Sequence, residues 1–281
     1  MQIKTLNGVS EKEILDVFNL SFSDYYVPLK LTAEQLATKM RSDNVDLNLS
    51  VGVFENDQLV GFILHGFNQV AGRNRLYNGG TGVIPSKRGQ GLTCKMYDFI
   101  LPAFKERKID TLILEVISKN IPAIKSYERS GYSLVRGLLC YRGDLKPLTI
   151  NEKLEIKTID QYDWEEMESF WDFAPSSQNS KLSINELKST VRLIGAFHEN
   201  QMVGYLIYNP VSKRLPQLAV KKNFRRKGVG STLLQKIKSE YGSSIVVINV
   251  DKGNQPINDF FVKTGLECFL EQIEMKRELN N

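Results

Sequence analysis

The sequence predicts a mixed α/β protein built from two copies of one domain, and three recurring patterns carry that prediction. The pattern Arg-x-x-Gly-x-(Gly/Thr) occurs as Arg88-Gly89-Gln90-Gly91-Leu92-Thr93 and again as Arg225-Arg226-Lys227-Gly228-Val229-Gly230. Upstream, the stretch from Gly52 through Gly61 to Leu64 recurs from Gly195 through Gly204 to Ile207. Downstream, an apolar run from Thr111 to Ile117, then Asn120-x-Pro122, then Gly131-Tyr132, recurs as Ile245 to Val250, Asn254-x-Pro256 and Gly265-Leu266. The copies lie about 140 residues apart, far too long a period for a solenoid and suited to two domains.

The elements follow in the same order in each copy. Ile3-Lys4-Thr5-Leu6 and Ile156-Lys157-Thr158-Ile159 open the halves as strands, each followed by an acidic, helix-prone stretch. The Gly52 and Gly195 stretches read as hairpins, two apolar strands joined by polar turns at Asn56-Asp57 and Glu199-Asn200. A short strand comes next, ending in Gly82-Val83-Ile84 or Leu218-Ala219-Val220, and the glycine-bearing loop follows. Apolar residues at helical spacing then predict a long helix with a core face: Leu92, Met96, Phe99 and Ile100 in one copy, Val229, Leu233, Leu234 and Ile237 in the other. A strand, a short helix and a final strand complete each copy. Gly143, Asp144 and Pro147 interrupt regular structure between Arg142 and Lys153, so the expected domains are 1–145 and 153–281.

Each loop opens a helix, and that placement has chemical meaning. Backbone N–H groups converge at a helix N-terminus, the helix dipole is positive there, and glycine lets an anion approach the backbone. With an Arg beside it, such a turn predicts a phosphate site. Composition agrees without deciding more. The chain has 281 residues, 42% of them hydrophobic and 25% charged, with a net charge of +5, ordinary for a globular protein with an anionic ligand. Cys94, Cys140 and Cys268 show neither paired spacing nor an even count, which argues against a disulfide framework or a zinc site. Neither a signal peptide nor a run long enough to span a bilayer is recognisable, and the expected location is a reducing cytoplasm.

The order Val83-Ile84-Pro85-x-x-Arg88-Gly89-Gln90-Gly91-Leu92, then Leu114-Glu115-Val116, then Asn120-x-x-Ala123-Ile124-x-x-Tyr127-Glu128-x-x-Gly131-Tyr132, resembles the GCN5-related N-acetyltransferase (GNAT) superfamily. The resemblance covers both halves. It implies α/β domains with a largely antiparallel sheet, splayed at its centre and flanked by helices, with acetyl-CoA held in the splay as co-substrate and no metal. Main-chain groups at Val83 and Ile84 would bond the pantetheine, the loop Arg88, Gly89, Gln90, Gly91, Leu92 and Thr93 the pyrophosphate, and Asn120 would line the channel. Val220 with Arg225, Arg226, Lys227, Gly228, Val229 and Gly230 would do the same in the second copy.

Catalytic residues differ between the copies. Glu115 precedes Tyr127 by 12 residues, a spacing similar to that in ribosomal-protein alanine N-acetyltransferases, which implies Glu115 as general base and Tyr127 as general acid. An ammonium must lose a proton before attacking a thioester, and the departing thiolate gains one. Asn249 and Phe261 hold these positions in the second copy, and neither exchanges protons. Chemistry is therefore expected in the first copy, with a small-molecule or peptide amine as acceptor. Two rivals stand beside this reading: an active second copy, as in mycothiol synthase, and a non-catalytic acyl-CoA sensor.

Other features carry less. Thr93 stands where the family usually has Gly or Ala, and its branched side chain narrows the anion's approach. Gly79-Gly80-Thr81-Gly82 leaves two readings open, a bulge or a turn. His65 and His198 are the only histidines, too few for a histidine triad or metal site. Cys94 reads as a small packed side chain. The basic run from Lys221 to Lys227 sits inside the loop motif, where the phosphates of CoA are simpler partners than nucleic acid. The resemblance places Phe22 to Pro28, including Tyr25 and Tyr26, on one wall of the acceptor pocket.

Overall fold

The computed structural model describes residues 1–27 and 29–279. The first repeat runs β1 (Gln2–Thr5), α1 (Glu11–Ser21), α2 (Ala33–Ser42), β2 (Val51–Glu55), β3 (Gln58–Val70), β4 (Arg73–Val83), α3 (Leu92–Glu106), β5 (Thr111–Ile117), α4 (Ile121–Arg129) and β6 (Ser133–Asp144). The second repeats it: β7 (Glu155–Ile159), α5 (Trp164–Glu168), α6 (Lys181–Glu186), β8 (Arg192–His198), β9 (Gln201–Asn209), β10 (Arg214–Val220), α7 (Val229–Tyr241), β11 (Ser244–Asp251), α8 (Gln255–Lys263) and β12 (Glu267–Glu278). Both hairpins turn as the sequence implies. Asn56, Asp57, Glu199 and Asn200 all have positive φ, between 48° and 62°, which matches the twist of the strands they join.

The chain divides into two compact units that differ from the contiguous halves 1–145 and 153–281. Unit 1 is Met1–Val135 together with the chain from Ile273, and unit 2 is Arg136–Gln272. Most of β6 thus belongs to unit 2 and the second half of β12 to unit 1. The repeats have equivalent last strands, so sequence similarity alone cannot say which strand completes which sheet.

Within unit 1 the strand order is β1-β2-β3-β4-β5-β12, and within unit 2 it is β6-β11-β10-β9-β8-β7. Neighbours from β1 to β4 and from β7 to β10 pair antiparallel. The central pairs are parallel and brief. β4 meets β5 only at Arg75–Thr111, Leu76–Leu112 and Tyr77–Ile113, and β10 meets β11 only at Arg214–Val246. Beyond those pairs β4 runs on to Val83 and β5 to Ile117 without bonding to each other, so each sheet is splayed at its centre, as the resemblance implied.

Each sheet carries a core on both faces. In unit 1, α3 packs Leu92, Met96, Ile100 and Phe104 on Leu112, Leu114 and Val116 of β5. On the other face, Ile14 and Phe18 of α1 and Leu36 of α2 meet Phe54, Phe62 and Leu64. Unit 2 repeats this with Val229, Leu233, Leu234 and Ile237 of α7 buried. Phe99, expected in the core, is 45% exposed. Tyr97 and Phe104 join the buried stripe of α3 and move its centre round the helix, leaving Phe99 on the flank.

Candidate active site

The site is built first from loop backbone. Gly91 is the N-cap of α3 and Gly228 that of α7, both left-handed (φ 68° and 80°) and neither supplying a side-chain cap. The first N–H groups of these helices therefore have no side-chain partner from the cap. A Cβ added at Gly89 or Gly91 would meet nothing within 4 Å. The space over the first loop is open, and backbone donors at a positive helix end fit a pyrophosphate there.

Arg88 and Arg225 were expected beside the anion, and their guanidinium groups are bonded to the protein itself. Arg88 donates through Nε to the Val83 carbonyl at 3.1 Å, and its guanidinium bonds both Asp24 oxygens at 2.7 Å and the Ser21 carbonyl at 2.8 Å. Arg225 repeats this with the carbonyls of Val220 and Phe170 and with Asp172. Each arginine ties its strand end to the chain just after the first helix of its unit, holding the loop's entry in place. In unit 2, Arg226 is left-handed (φ 62°) where unit 1 has Gly89, a strained conformation for a residue with a Cβ. The loops also differ at their edges. Asn151 donates its amide to the Lys227 carbonyl at 2.8 Å, and Phe260 lies 3.0 Å from where a Gly230 Cβ would sit. A side chain such as that of Thr93 would require the Phe260 ring to shift at 230.

The glycine run before the first loop is a bulge. Leu64 of β3 pairs with Gly80 while His65 pairs with Asn78, so Gly79 is the extra residue. A Cβ there would stand 2.6 Å from Asp43 Oδ2, so any other residue would displace the carboxylate that pairs with Lys39. Asn78 stabilises the bulge: its Oδ1 accepts the Gly80 N–H, and its amide donates to Thr81 Oγ1 and the Tyr97 hydroxyl, each near 3 Å. The Tyr132 hydroxyl donates to that of Tyr97 at 2.9 Å.

Glu115 and Tyr127 approach the gap from opposite faces of β5. Leu114 and Val116 share a cluster with Tyr127, and strand alternation sends Glu115 the other way, toward α2. Both Glu115 carboxylate oxygens are buried without a well-formed hydrogen bond. Burial pushes this carboxyl up to about 7; the Tyr77 hydroxyl pulls it back, Glu274 and Asp43 push it further up, and Lys39 opposes them. Asp43 is itself paired with Lys39 at 2.6 Å. Burial likewise pushes Tyr127 up to about 12, with Thr81 drawing it partly back. The phenol stays protonated at neutral pH and can donate.

The matching positions in unit 2 are occupied otherwise. Asn249 is left-handed (φ 60°) at a break in the β11 register. Its amide donates to Ser176 Oγ at 3.1 Å, and its carbonyl accepts from Gln272 at 2.8 Å. Phe261 is a core residue, 2% exposed. Beside them is a cavity of about 410 Å³ that reaches from Val220, Arg225, Arg226, Gly228, Val229 and Gly230 to Asn249 and Phe261. Lys227 does not line it.

The remaining expected residues are placed as follows. Asn120 caps α4 by accepting the Ala123 N–H, and its amide reaches the Tyr25 hydroxyl at 3.4 Å. Tyr25 therefore turns toward the gap, while Tyr26 is 55% exposed. Pro28 lies outside the described residues. Cys94 packs its thiol against Ser126. Sequence reasoning missed Asn78, Asp43 and Glu274. Only the first two left a local trace, as an Asn before paired glycines and as the acidic partner of Lys39 four residues earlier on α2. Among the described residues, no group of three or more His, Cys, Asp or Glu could hold a metal ion, and no helix is long and apolar enough to cross a membrane.

Comparison with known proteins agrees with this geometry. No sequence relative is found among curated proteins. Among solved structures, a GCN5-related N-acetyltransferase from Sphaerobacter thermophilus aligns over 100% of this chain and 96% of its own, at 15% identity and TM-score 0.76. A tandem GNAT protein from the clavulanic acid biosynthesis pathway aligns over 100% and 99%, at 13% identity and TM-score 0.72. A GCN5-related N-acetyltransferase from Anabaena variabilis aligns over 99% of this chain and 73% of its own, at 12% identity and TM-score 0.59. These likenesses show the fold. The sequence profile of the acetyltransferase (GNAT) family matches twice, at residues 14–132 and 156–266. The chain is therefore a two-domain member of the GNAT acetyltransferase family, which uses acetyl-CoA as acetyl donor.

Proposed function

We propose that the chain transfers acetyl from acetyl-CoA to a primary amine, small molecule or peptide, with the chemistry in unit 1. Glu115 takes the proton from the acceptor's ammonium, directly or through one water, and the freed amine attacks the thioester carbon. The carbon–sulfur bond breaks, and Tyr127 gives its proton to the departing sulfur. Backbone around Val83 and Ile84 orients the donor, and the loop from Arg88 to Thr93 supplies the N–H groups for its pyrophosphate.

The observation that supports this reading is the buried carboxylate of Glu115, without a well-formed hydrogen bond, across β5 from the Tyr127 phenol. A base whose pKa lies near 7 is matched to deprotonating an amine at neutral pH. In unit 2 the corresponding side chains are an amide bonded to Ser176 and Gln272 and a buried phenyl ring. The test is steady-state turnover of acetyl-CoA by the full chain over a panel of amines, with Tyr127→Phe and Glu115→Gln as variants. Unchanged turnover in both would sink the assignment. One observation favours the alternative of an active unit 2, namely the cavity at its loop; loss of turnover on Gly228 substitution would support that alternative.

A further inference from the structure

Beyond its last pair with β5, β4 carries Asn78 and Thr81 along the gap, and a set of polar side chains meets there. Asn78 commits both of its amide hydrogens, one to Thr81 Oγ1 and one to the Tyr97 hydroxyl, each at 2.8 Å, and its carbonyl oxygen accepts the Gly80 N–H at 3.0 Å. The Tyr132 hydroxyl joins at Tyr97. Thr81 receives a hydrogen from Asn78 and keeps its own to give, and its other partner is the Tyr127 phenol.

Unit 2 lacks every one of these groups. Counting along each repeat from the loop arginine, Leu215, Leu218 and Leu234 stand at the places of Asn78, Thr81 and Tyr97. Counting from the asparagine that caps α4 or α8, Phe261 and Leu266 stand at those of Tyr127 and Tyr132. All five belong to one apolar cluster or pack against it. Yet the strand keeps its irregularity, since β10 breaks register against β9 between Arg214 and Gln217, much as β4 does against β3 at Gly79. The break in register therefore does not require the polar network. What is absent together with the network is the phenol.

Resting on the reading that Tyr127 is the acid of unit 1, we propose that Thr81 is a positioning residue for it, its hydroxyl held by Asn78 and aimed at the phenol oxygen. As the Tyr127 O–H bond breaks and the S–H bond of CoA forms, negative charge collects on that oxygen, and the Thr81 hydroxyl donates to it until solvent returns the proton. A hydrogen bond strengthens when its acceptor becomes charged, so this one favours the state that follows proton transfer and acts on turnover rather than on donor binding.

The test is a double-mutant cycle in the full chain, read as kcat and KM for acetyl-CoA with the amine that the parent turns over fastest. Thr81→Val keeps the branched shape and removes the hydroxyl. It should lower kcat roughly ten- to hundredfold, the range for a hydrogen bond to a charged group, with KM for acetyl-CoA unchanged. Thr81→Ser, which keeps the hydroxyl, should retain most of the parent's kcat. Thr81→Val placed on Tyr127→Phe should remove nothing further, because no phenol is left to orient. Circular dichroism reports the fold, and Thr81→Ala takes the place of Thr81→Val in the cycle if that variant unfolds. An unchanged kcat in Thr81→Val beside a disabled Tyr127→Phe would overturn the positioning role alone, as would a loss of equal size on both backgrounds. Full turnover in Tyr127→Phe would overturn the reading on which the role rests, and the role with it.

Discussion

Arg88 and Arg225 make the same set of bonds in their own units, to a strand carbonyl, a carbonyl after the first helix and an aspartate. Farther along the same scaffold, the positions of Glu115 and Tyr127 in the first repeat are held by Asn249 and Phe261 in the second. The comparison separates two kinds of information in a duplicated domain. The proposed anion cradle is backbone, held by glycine at the helix N-caps and by an arginine clamp, a construction that tolerates divergence of the side chains around it. In the proposed mechanism proton transfer depends on two side chains, Glu115 and Tyr127, and neither has a counterpart able to exchange a proton at Asn249 or Phe261.

The comparison breaks most sharply at the catalytic pair. Tyr127→Phe and Glu115→Gln should each lower turnover by roughly 10²–10⁴-fold with little change in acetyl-CoA affinity. Asn249→Ala and Phe261→Leu should leave turnover nearly unchanged. Turnover limited by chemistry should also rise with pH through about 7 as Glu115 ionises, and Glu115→Gln should lose that limb. Full activity in Tyr127→Phe would show that unit 1 is not the enzyme.

Glu115 should also report in stability, with a sign opposite to its value for activity. Its folded pKa of about 7 lies above the ordinary 4.5, so the native state holds a proton that the unfolded chain releases between those values. Stability is therefore full below about 4.5 and falls as pH rises through 7, by up to roughly 3 kcal/mol. Glu115→Gln should be more stable than the parent at pH 8 and should show little difference at pH 4. Chemical denaturation at the two pH values checks this, and an equal shift at both would contradict it. His65 acts from the other side. It is fully buried, and its pKa is lowered to about 4 by burial, against the Leu49 carbonyl bond. Its contribution is present above about 6.5 and is lost as pH falls toward 4.

A smaller effect distinguishes the loops. Val at Gly91 or at Gly228 is strained, since both glycines are left-handed, by roughly 1–2 kcal/mol. Gly91→Val should lower turnover at subsaturating acetyl-CoA by about tenfold or more, its side chain intruding on the phosphate path, while Gly228→Val should leave turnover close to the parent's. The smallest effect is expected at the clamps. The Arg88–Asp24 pair is about half exposed, so solvent screens it, and Asp24→Asn should barely shift the thermal denaturation midpoint, with Asp172→Asn behaving alike.

The repeat, the hairpins, the loops and the helices after them were legible because each is a local pattern. A polar pair between apolar runs turns, a glycine caps a helix, and 3.6-residue spacing buries a face. Even there the reading slipped at Phe99, because the stripe's exact centre depends on how Tyr97 and Phe104 meet the sheet. The candidate site was legible only where it shares a repeat. Glu115 and Tyr127 could be paired by spacing, but Asp43 arrives from a helix end and Glu274 from the last strand. No local pattern links either to Glu115. The clamp role of Arg88 was hidden for the same reason, since its partners are 64 and 67 residues away.

The division of the strands bears on the order in which the units can be finished as the chain is synthesised. Unit 2 is one continuous stretch, Arg136–Gln272, and is complete in sequence once Gln272 has emerged. Unit 1 begins at the N-terminus yet draws its last strand residues from Ile273 onward, and among them is the buried Glu274 beside Glu115. The first unit therefore cannot be completed until residues that follow the whole of the second have been made, a departure from the usual N-terminal-first order of domain folding.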